Sequence, residues 1–356
     1  MKRNGKIELL RFFMAISVLC LHVQKYVGTE IKPNGDIHLA FFPHGAMGVE
    51  FFFVLSGFLM ASSVFYAKDA DRKLPTGKST IIFMKKKFMA IFPMHCIAAV
   101  GVFAATAISQ NYSLTDCVKK AVTSLPGLFF VQMGGFGFTY INHIEWYLSV
   151  MLISMCLIYP MLRKWYETFS RVIAPLVALF ILGYLMHTYS SLIGVNTWSG
   201  ITYKSMFRGI AELCLGVFCF EVCRYIQNSK INTKKRILIS VLEAVSWIGT
   251  FGIIMTTFSY KSNIFALALI AIGITCTFTG LTYGNDIFNK KAIYYLGKLS
   301  LPIYLIQLMT IEIIPVIFSD LSVNIQMIIT IVSTLIVAVG LLHLTELITK
   351  KKKAKA

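Results

Sequence analysis

The chain has 356 residues, of which 56% are hydrophobic and only 14% are charged. This composition excludes a soluble globular protein and is typical of a polytopic membrane protein. The formal net charge of +18 would favour nucleic-acid binding in a soluble protein, but here the lysines and arginines cluster in short segments between apolar runs. We therefore expect the lipid bilayer, and no nucleic acid, as a partner.

Ten apolar runs are each long enough to cross about 30 Å of hydrocarbon as a helix. They cover residues 7–27, 45–66, 88–109, 143–162, 172–189, 205–226, 237–256, 263–282, 294–317 and 325–348. The predicted fold class is an all-α polytopic membrane protein, a bundle of about ten transmembrane helices. A further apolar piece at 120–133 is interrupted by Pro126 and Gly127, and we expect it to be re-entrant or interfacial.

Charge outside the runs sets the orientation of the bundle. An even number of crossings places both termini on one side, and the basic residues are concentrated on that side, for example at 68–87 and 350–355. Such a bias marks the cytoplasmic face. We predict a multi-pass protein of a cell membrane with both ends in the cytoplasm. A single integral-membrane domain is expected over 1–348, followed by a basic cytoplasmic tail over 349–356.

The stretch KIELLRFFMAISVLCLH at residues 6–22, which begins the first apolar run, carries Glu8, Arg11 and His22. Three helical turns take about 10.8 residues, so Arg11 and His22 lie on one side of a helix, roughly 16 Å apart. Glu8 precedes Arg11 by one turn and joins that face. An ionised group in lipid costs at least about 2.5 to 3.5 kcal/mol, so this face should contact protein or water. The alternative to a functional site is a Glu8–Arg11 salt bridge at the membrane edge and a buried, hydrogen-bonded His22.

The second run opens with GAMGVEFFFVLSGF at residues 45–58. Glu50 falls near the start of a helix, where the dipole favours an acid. Ser56 and Gly57 form a small-residue patch that lets another helix approach closely, and we expect that helix to be the first. Packing alone is an alternative explanation of the Ser–Gly pair.

Arg11 and His22, with ten residues between them, and the following GVEFFFVLSGF closely resemble the opening of the bacterial integral-membrane acyltransferase-3 proteins. Further similarity comes from a basic run before Pro93, EWYLSVMLISMCLIYPML at 145–162, RGIAELCLG at 208–216 and LGKLSLPIYLIQ at 296–307. The resemblance implies a ten-helix fold in the bacterial cytoplasmic membrane. It also implies transfer of acyl groups, most often acetyl, from coenzyme A to sugars of surface polysaccharides, lipopolysaccharide and related glycans.

The resemblance further implies a donor site near the basic run. Family members often carry two arginines three residues apart before the proline, where this chain has Lys86, Lys87 and, at the second arginine position, Ala90. Lysine binds a phosphate group as a point charge, without the bidentate geometry of arginine. The expected contacts of acetyl-CoA, the acyl donor, are Lys86, Lys87, Arg11 and Ser56.

Acyl transfer needs a base for the attacking hydroxyl and a stabiliser for the tetrahedral oxyanion. His22 is the candidate base because an imidazole titrates near neutral pH, and Glu50 is expected to pair with it and orient it. Arg11, beside Glu8 at the cytoplasmic end of the shared face, is expected to hold donor phosphate or to stabilise developing charge. These four residues are the predicted catalytic group.

For the acceptor, a glycan or lipid-linked sugar, we predict contacts with polar and aromatic residues of three later motifs. They are Glu145, Trp146, Tyr147, Arg208, Glu212 and Tyr304. A structural salt bridge is the favoured explanation of Arg208 and Glu212, which are spaced one helical turn apart. An aromatic belt also explains Trp146 and Tyr147. His95 is expected to be a hydrogen-bonded core histidine.

Two other functions are compatible with the sequence. The first is a proton-coupled transporter or flippase for a glycan or lipid, in which the intramembrane ionisable residues form a proton pathway. The second is a degenerate relative that only binds partners. It is suggested by three departures from the family pattern: Ala90, Met151 where many relatives have Glu, and Gln307 where His is common.

Metal chemistry has no support in the sequence. There is no zinc-binding, phosphate-loop or dinucleotide motif, so no metal is expected. The eight cysteines contain no C-x-x-C pair, and seven of them fall in apolar runs, with Cys117 outside. We expect them to be small buried hydrophobes.

Overall fold

A computed structural model gives the chain an almost entirely helical fold. It describes residues 3–28, 42–137, 140–230, 232–256 and 259–354. Among these residues ten helices have sixteen or more residues, and we number them in chain order. They are α1 Gly5–Tyr26, α2 Met47–Phe65, α3 Thr76–Ser109, α4 Trp146–Lys164, α5 Ala174–Tyr189, α6 Lys204–Asn228, α7 Thr233–Met255, α8 Asn263–Phe278, α9 Lys291–Ile317 and α10 Val323–Ala354. Each overlaps one predicted apolar run, and the predicted all-α bundle is confirmed.

Short elements lie between the long helices. The short α-helices are Asp69–Arg72, Leu114–Ser124, Tyr166–Thr168 and Asn285–Phe288, the 3-10 turns are Leu125–Phe129, Gln132–Gly134, His143–Glu145 and Tyr260–Ser262, and a π turn covers Phe169–Ile173. Strands Trp198–Ser199 and Thr202–Tyr203 pair antiparallel in a small hairpin. Sheet structure in the described chain is confined to this hairpin.

Eight helical segments of the described chain are long and apolar enough to cross a membrane. The two remaining long helices fall outside this group for different reasons. Helix α8 is apolar but has only 16 residues, about 24 Å in length. Helix α6 has 25 residues but carries five charged residues, including Arg208 and Glu212 in its interior. Both pack against neighbouring helices, α6 on α2 and α5, and α8 on α7. The protein is therefore a multi-pass membrane protein.

Two helices are longer than the runs that predicted them. Helix α3 has 34 residues, about 51 Å at 1.5 Å per residue, so Lys85, Lys86 and Lys87 lie on a helix and not in the expected loop. Helix α10 passes through the predicted boundary at 348 and runs to Ala354; residues 355 and 356 lie outside the described residues. Lysine ends an apolar run but is a good helix former, which explains both differences. The division into domain and tail stays a prediction.

The interrupted apolar piece at 120–133 does not form a long helix. Residues Leu114–Ser124 are helical and are followed by two 3-10 turns, so no helix in this piece has the length of a membrane crossing. Ser149 of α4 anchors the turns, because its hydroxyl donates to the Phe130 carbonyl (2.7 Å) and accepts from the Met133 amide (3.1 Å). The piece is therefore not a further long helix, and its re-entrant or interfacial position stays a prediction.

Glycines allow the closest helix contacts, but the partner of the small-residue patch on α2 differs from the prediction. A Cβ at Gly57 would collide with the backbone oxygen of Leu213, and one at Gly216 with that of Val54. The small-residue patch on α2 therefore faces α6, and the expectation that it faces α1 is wrong. Helix α1 instead approaches the start of α2, where Gly48 lies against the Met14 carbonyl. Close backbone approach through small residues is the usual packing of membrane helices.

Candidate active site

His22, near the end of α1, is held by a hydrogen bond to α9. Its Nδ1 is 3.1 Å from Gln307 Oε1, while Gln307 Nε2 donates to the Tyr304 carbonyl at 3.0 Å. Because the amide nitrogen of Gln307 is used by Tyr304, the oxygen faces the imidazole and accepts from it. Nδ1 therefore carries the hydrogen, and Nε2 of the neutral ring has a lone pair. No hydrogen bond to this Nε2 occurs among the residues that the structure describes.

Glu8 and Arg11 form the salt bridge that was the alternative to a functional site. Arg11 Nη1 is 3.5 Å from Glu8 Oε2, and Arg3 Nε is 2.9 Å from Glu8 Oε1. Glu8 is buried against Gly297 of α9, where a Cβ would collide with its carboxylate. Glu8 and His22 thus both contact α9, and their predicted common face is confirmed. The Arg11 side chain keeps 34% of its surface exposed.

The predicted donor residues lie on three helices. Ser56 Oγ of α2 is 3.4 Å from the Tyr147 hydroxyl of α4. Lys87 of α3 is half-buried, with Nζ 5.5 Å from the centre of the Phe83 ring, whereas Lys86 is exposed. Arg11 and Lys87 therefore each keep part of the side chain inside the protein, and Lys86 does not.

Glu50 belongs to a buried ionic cluster on α2 and α6. Its Oε1 is 2.5 Å from Arg208 Nη2, and Arg208 Nε is 3.2 Å from Glu212 Oε1. The guanidinium also lies 5.4 Å from the centre of the Trp146 ring. The predicted Arg208–Glu212 salt bridge is confirmed. The predicted Glu50–His22 pair is wrong, because Glu50 contacts Arg208 while His22 contacts Gln307. Glu50 and Arg208 are far apart in the sequence, and no sequence pattern predicts their contact.

The six predicted acceptor residues are all buried inside the bundle. Besides the Arg208–Glu212 pair, Glu145 Oε2 lies 2.8 Å from His95 Nδ1, and the Tyr304 hydroxyl donates to the Ile144 carbonyl. His95 is therefore a partnered interior histidine, as expected. Arg208 and Glu212 lie with Glu50, Glu145 lies with His95, and the Tyr147 and Tyr304 rings contact each other with centres 5.9 Å apart.

Sequence reasoning missed two contacts of this site. One is the His22–Gln307 hydrogen bond, since the sequence marks Gln307 only as a residue at a position where histidine is common. The His95–Glu145 pair joins α3 to the turn before α4, and nothing in the sequence linked the two residues. Met151, the other departure, fills space between Ser56 and Tyr147, with Sδ 3.4 Å from Ser56 Oγ.

The described chain contains neither a cluster of metal-ligating side chains nor a disulfide. No group of three or more histidine, cysteine or carboxylate residues that could hold a metal ion occurs there. All eight cysteines are free thiols, and five of them are buried. The site is therefore made of imidazole, amide, carboxylate, guanidinium and ammonium groups.

Comparison with proteins of curated function and with solved structures finds no match. Residues 4–343 match the model of the acyltransferase-3 family, described as an acyltransferase domain. The match covers nearly the whole chain, including α1 to α9 and most of α10. It therefore includes Glu8, His22 and Gln307. The chain belongs to the acyltransferase-3 family of membrane acyltransferases.

Proposed function

We propose that this membrane acyltransferase transfers an acetyl group from cytosolic acetyl-CoA to a sugar hydroxyl of a surface or lipid-linked polysaccharide at the bacterial cytoplasmic membrane. The observation that carries the proposal is the His22–Gln307 hydrogen bond, which leaves the basic Nε2 of His22 available. The family supplies the reaction class. The basic residues on the side of the termini support a cytoplasmic donor.

Donor binding is proposed at Arg11 of α1 and Lys87 of α3, two cations whose side chains are only partly exposed. Cations at this depth suit the phosphates of a coenzyme A. Arg11 and His22 are eleven positions apart on α1, so the acyl-carrying arm would extend along the helix for roughly 16 Å to reach the imidazole. The coenzyme A phosphates would therefore bind at Arg11, and the acyl group would react at His22, within one protein interior.

In the proposed reaction, His22 Nε2 takes the proton of the acceptor hydroxyl while the oxygen attacks the thioester carbonyl. A new C–O bond forms, and the carbonyl oxygen becomes an oxyanion. Collapse of this intermediate breaks the C–S bond, and the leaving thiolate takes the proton from His22. Gln307 Oε1 keeps its hydrogen bond to Nδ1–H throughout, which stabilises the transient imidazolium.

The test is acetyl transfer by the full chain in proteoliposomes. The donor is radiolabelled acetyl-CoA, and the acceptor is surface polysaccharide treated with alkali to remove its O-acyl esters. His22→Ala should abolish transfer while membrane insertion persists. The matched control is His187→Ala, which removes an exposed histidine near the end of α5 and should leave the rate unchanged.

Two outcomes would contradict the proposal. Wild-type rates in the His22→Ala variant would remove this residue from the mechanism. If label never reaches the polysaccharide while a proton gradient drives uptake of a glycan or lipid, the protein is a transporter instead.

A further inference from the structure

A polar cavity opens at the end of the bundle opposite the termini. It has a volume of about 220 Å³, below the roughly 300 to 1,000 Å³ of pockets for drug-sized ligands, and suits a single sugar ring. Its walls come from α3, α9, the segment before α4 and the helix Leu114–Ser124. None of the residues that line it has a role in the proposed reaction. The cavity lies next to the His22 end of α1.

The lining of this outer cavity has the chemistry of a carbohydrate site. Tyr112 and Tyr140 supply aromatic rings, whose faces pack on the apolar side of a sugar. Glu312 supplies a carboxylate that accepts hydroxyl hydrogens; it already accepts from Ser109 Oγ at 2.6 Å. Lys120, on the opposite wall, lies 5.7 Å from the centre of the Tyr112 ring. The lining holds one carboxylate, one ammonium group and the imidazole of His143, and this mixture of acid and base favours a neutral, hydroxyl-rich ligand over an ion.

Buried polar atoms without partners lie in the walls of this region. Thr106 Oγ1, on the cavity wall, has no hydrogen-bond partner in the described part of the chain. A second, very small cavity shares Tyr140 with the first, and its lining includes Gln132 and Asn142. Their side-chain oxygens are likewise unpartnered within the described ranges, although both residues are more than 95% buried. Leaving such atoms without partners is costly, so a ligand hydroxyl that reached Thr106 would gain a hydrogen bond.

The outer cavity is joined to His22 by a short chain of side chains. His143 lines the cavity, and its Nε2 is 3.1 Å from the Tyr26 hydroxyl. The Tyr26 ring in turn lies 6.1 Å from the His22 ring. Helix α9 runs beside both, because Leu308 and Glu312 line the cavity while Gln307 holds His22. A sugar in the cavity would therefore lie beside the same short stretch of α9 as His22.

We propose that this cavity binds the accepting sugar unit as a neutral ring, with Glu312 and Thr106 as its hydroxyl-binding residues. The inference rests on the proposed function and adds the acceptor subsite to it. It also replaces the six buried residues predicted from the sequence as the main contacts of the acceptor.

The experiment measures the acceptor KM, the acetyl-CoA KM and direct binding of oligosaccharides to the full chain. The probe is an oligosaccharide fraction cut from alkali-treated surface polysaccharide, and binding is followed by calorimetry without acetyl-CoA. Glu312→Gln keeps the shape of the side chain and the Ser109 contact, and should raise the acceptor KM and the dissociation constant about tenfold. Thr106→Val should raise both about threefold. The acetyl-CoA KM should not change in either variant.

Glu167→Gln is the matched control, because this exposed carboxylate forms a surface ion pair with Arg171 and should alter none of the constants. Unchanged acceptor KM and unchanged oligosaccharide binding in both cavity variants would overturn the inference even if acetyl transfer is intact. If the wild type transfers no acetyl group, the proposed function fails, and the binding measurement still decides the cavity. Thr106→Val provides the test if Glu312→Gln fails to fold.

Discussion

Replacing Gln307 by methionine should slow acyl transfer without changing the fold. Methionine has a similar length but no carbonyl oxygen, so the 3.1 Å hydrogen bond to His22 Nδ1 is lost. A neutral hydrogen bond of this kind contributes about 0.5 to 1.5 kcal/mol, which corresponds to a fall in kcat of about 2- to 13-fold. The imidazole hydrogen is then free to move to Nε2, and the fraction of enzyme in that tautomer cannot act as a base.

The assay is the initial rate of radiolabel transfer at saturating acetyl-CoA and acceptor. Gln307→Glu should keep most of the activity, because a carboxylate oxygen at the same place still accepts from Nδ1. Gln326→Met is the matched control: it removes a buried glutamine whose Nε2 donates to the Phe318 and Leu321 carbonyls at 3.0 and 2.9 Å, so it should lower thermal stability but not kcat. A wild-type kcat in folded Gln307→Met, or an equal loss in Gln307→Glu, would refute the orienting role.

Three further substitutions test other parts of the structure. Lys87→Met should raise the acetyl-CoA KM roughly tenfold, the effect of losing a charged hydrogen-bonding group, whereas Lys86→Met should change it little; equal effects would contradict the inward position of Lys87. Gly57→Val should prevent α2 from meeting α6 and abolish folded protein in a detergent-stability assay, while Gly77→Val, which meets open space, should not. Arg208→Met should cost about 3 to 5 kcal/mol of unfolding free energy, because two buried carboxylates lose their cation; a thermal midpoint like that of the wild type would argue against the cluster.

The helices could be predicted from the sequence because hydrocarbon imposes one condition on every crossing segment. A helix satisfies all of its backbone groups internally, so an apolar run of sufficient length is enough to place it. The same reasoning failed at the start of α3, because an apolar run ends at the membrane surface while a helix can continue through lysines. Helix bounds outside the lipid depend on propensity and capping, which hydropathy does not report.

The contacts of the site were harder to predict because they join distant parts of the chain. Periodicity correctly placed Glu8 and His22 on one face of α1 and paired Arg208 with Glu212, since both inferences need only helix geometry. The partner of Glu50 depends on which helix lies beside α2, and no property of the second run alone carries that information. The outer cavity could not be foreseen for the same reason, because its walls come from segments as far apart in the chain as Phe103 and Glu312.

The way α9 is attached to α1 has a mechanical consequence. Gly297 fits against Glu8 at one end, and Gln307 binds His22 at the other, so sliding of the two helices would disturb both contacts at once. Pro302 lies between these points and has no N–H to donate to the carbonyl one turn earlier. Bending at Pro302 is therefore the easiest motion left to this pair, and it would move the Glu8 end of the helix pair relative to the His22 end while both contacts persist.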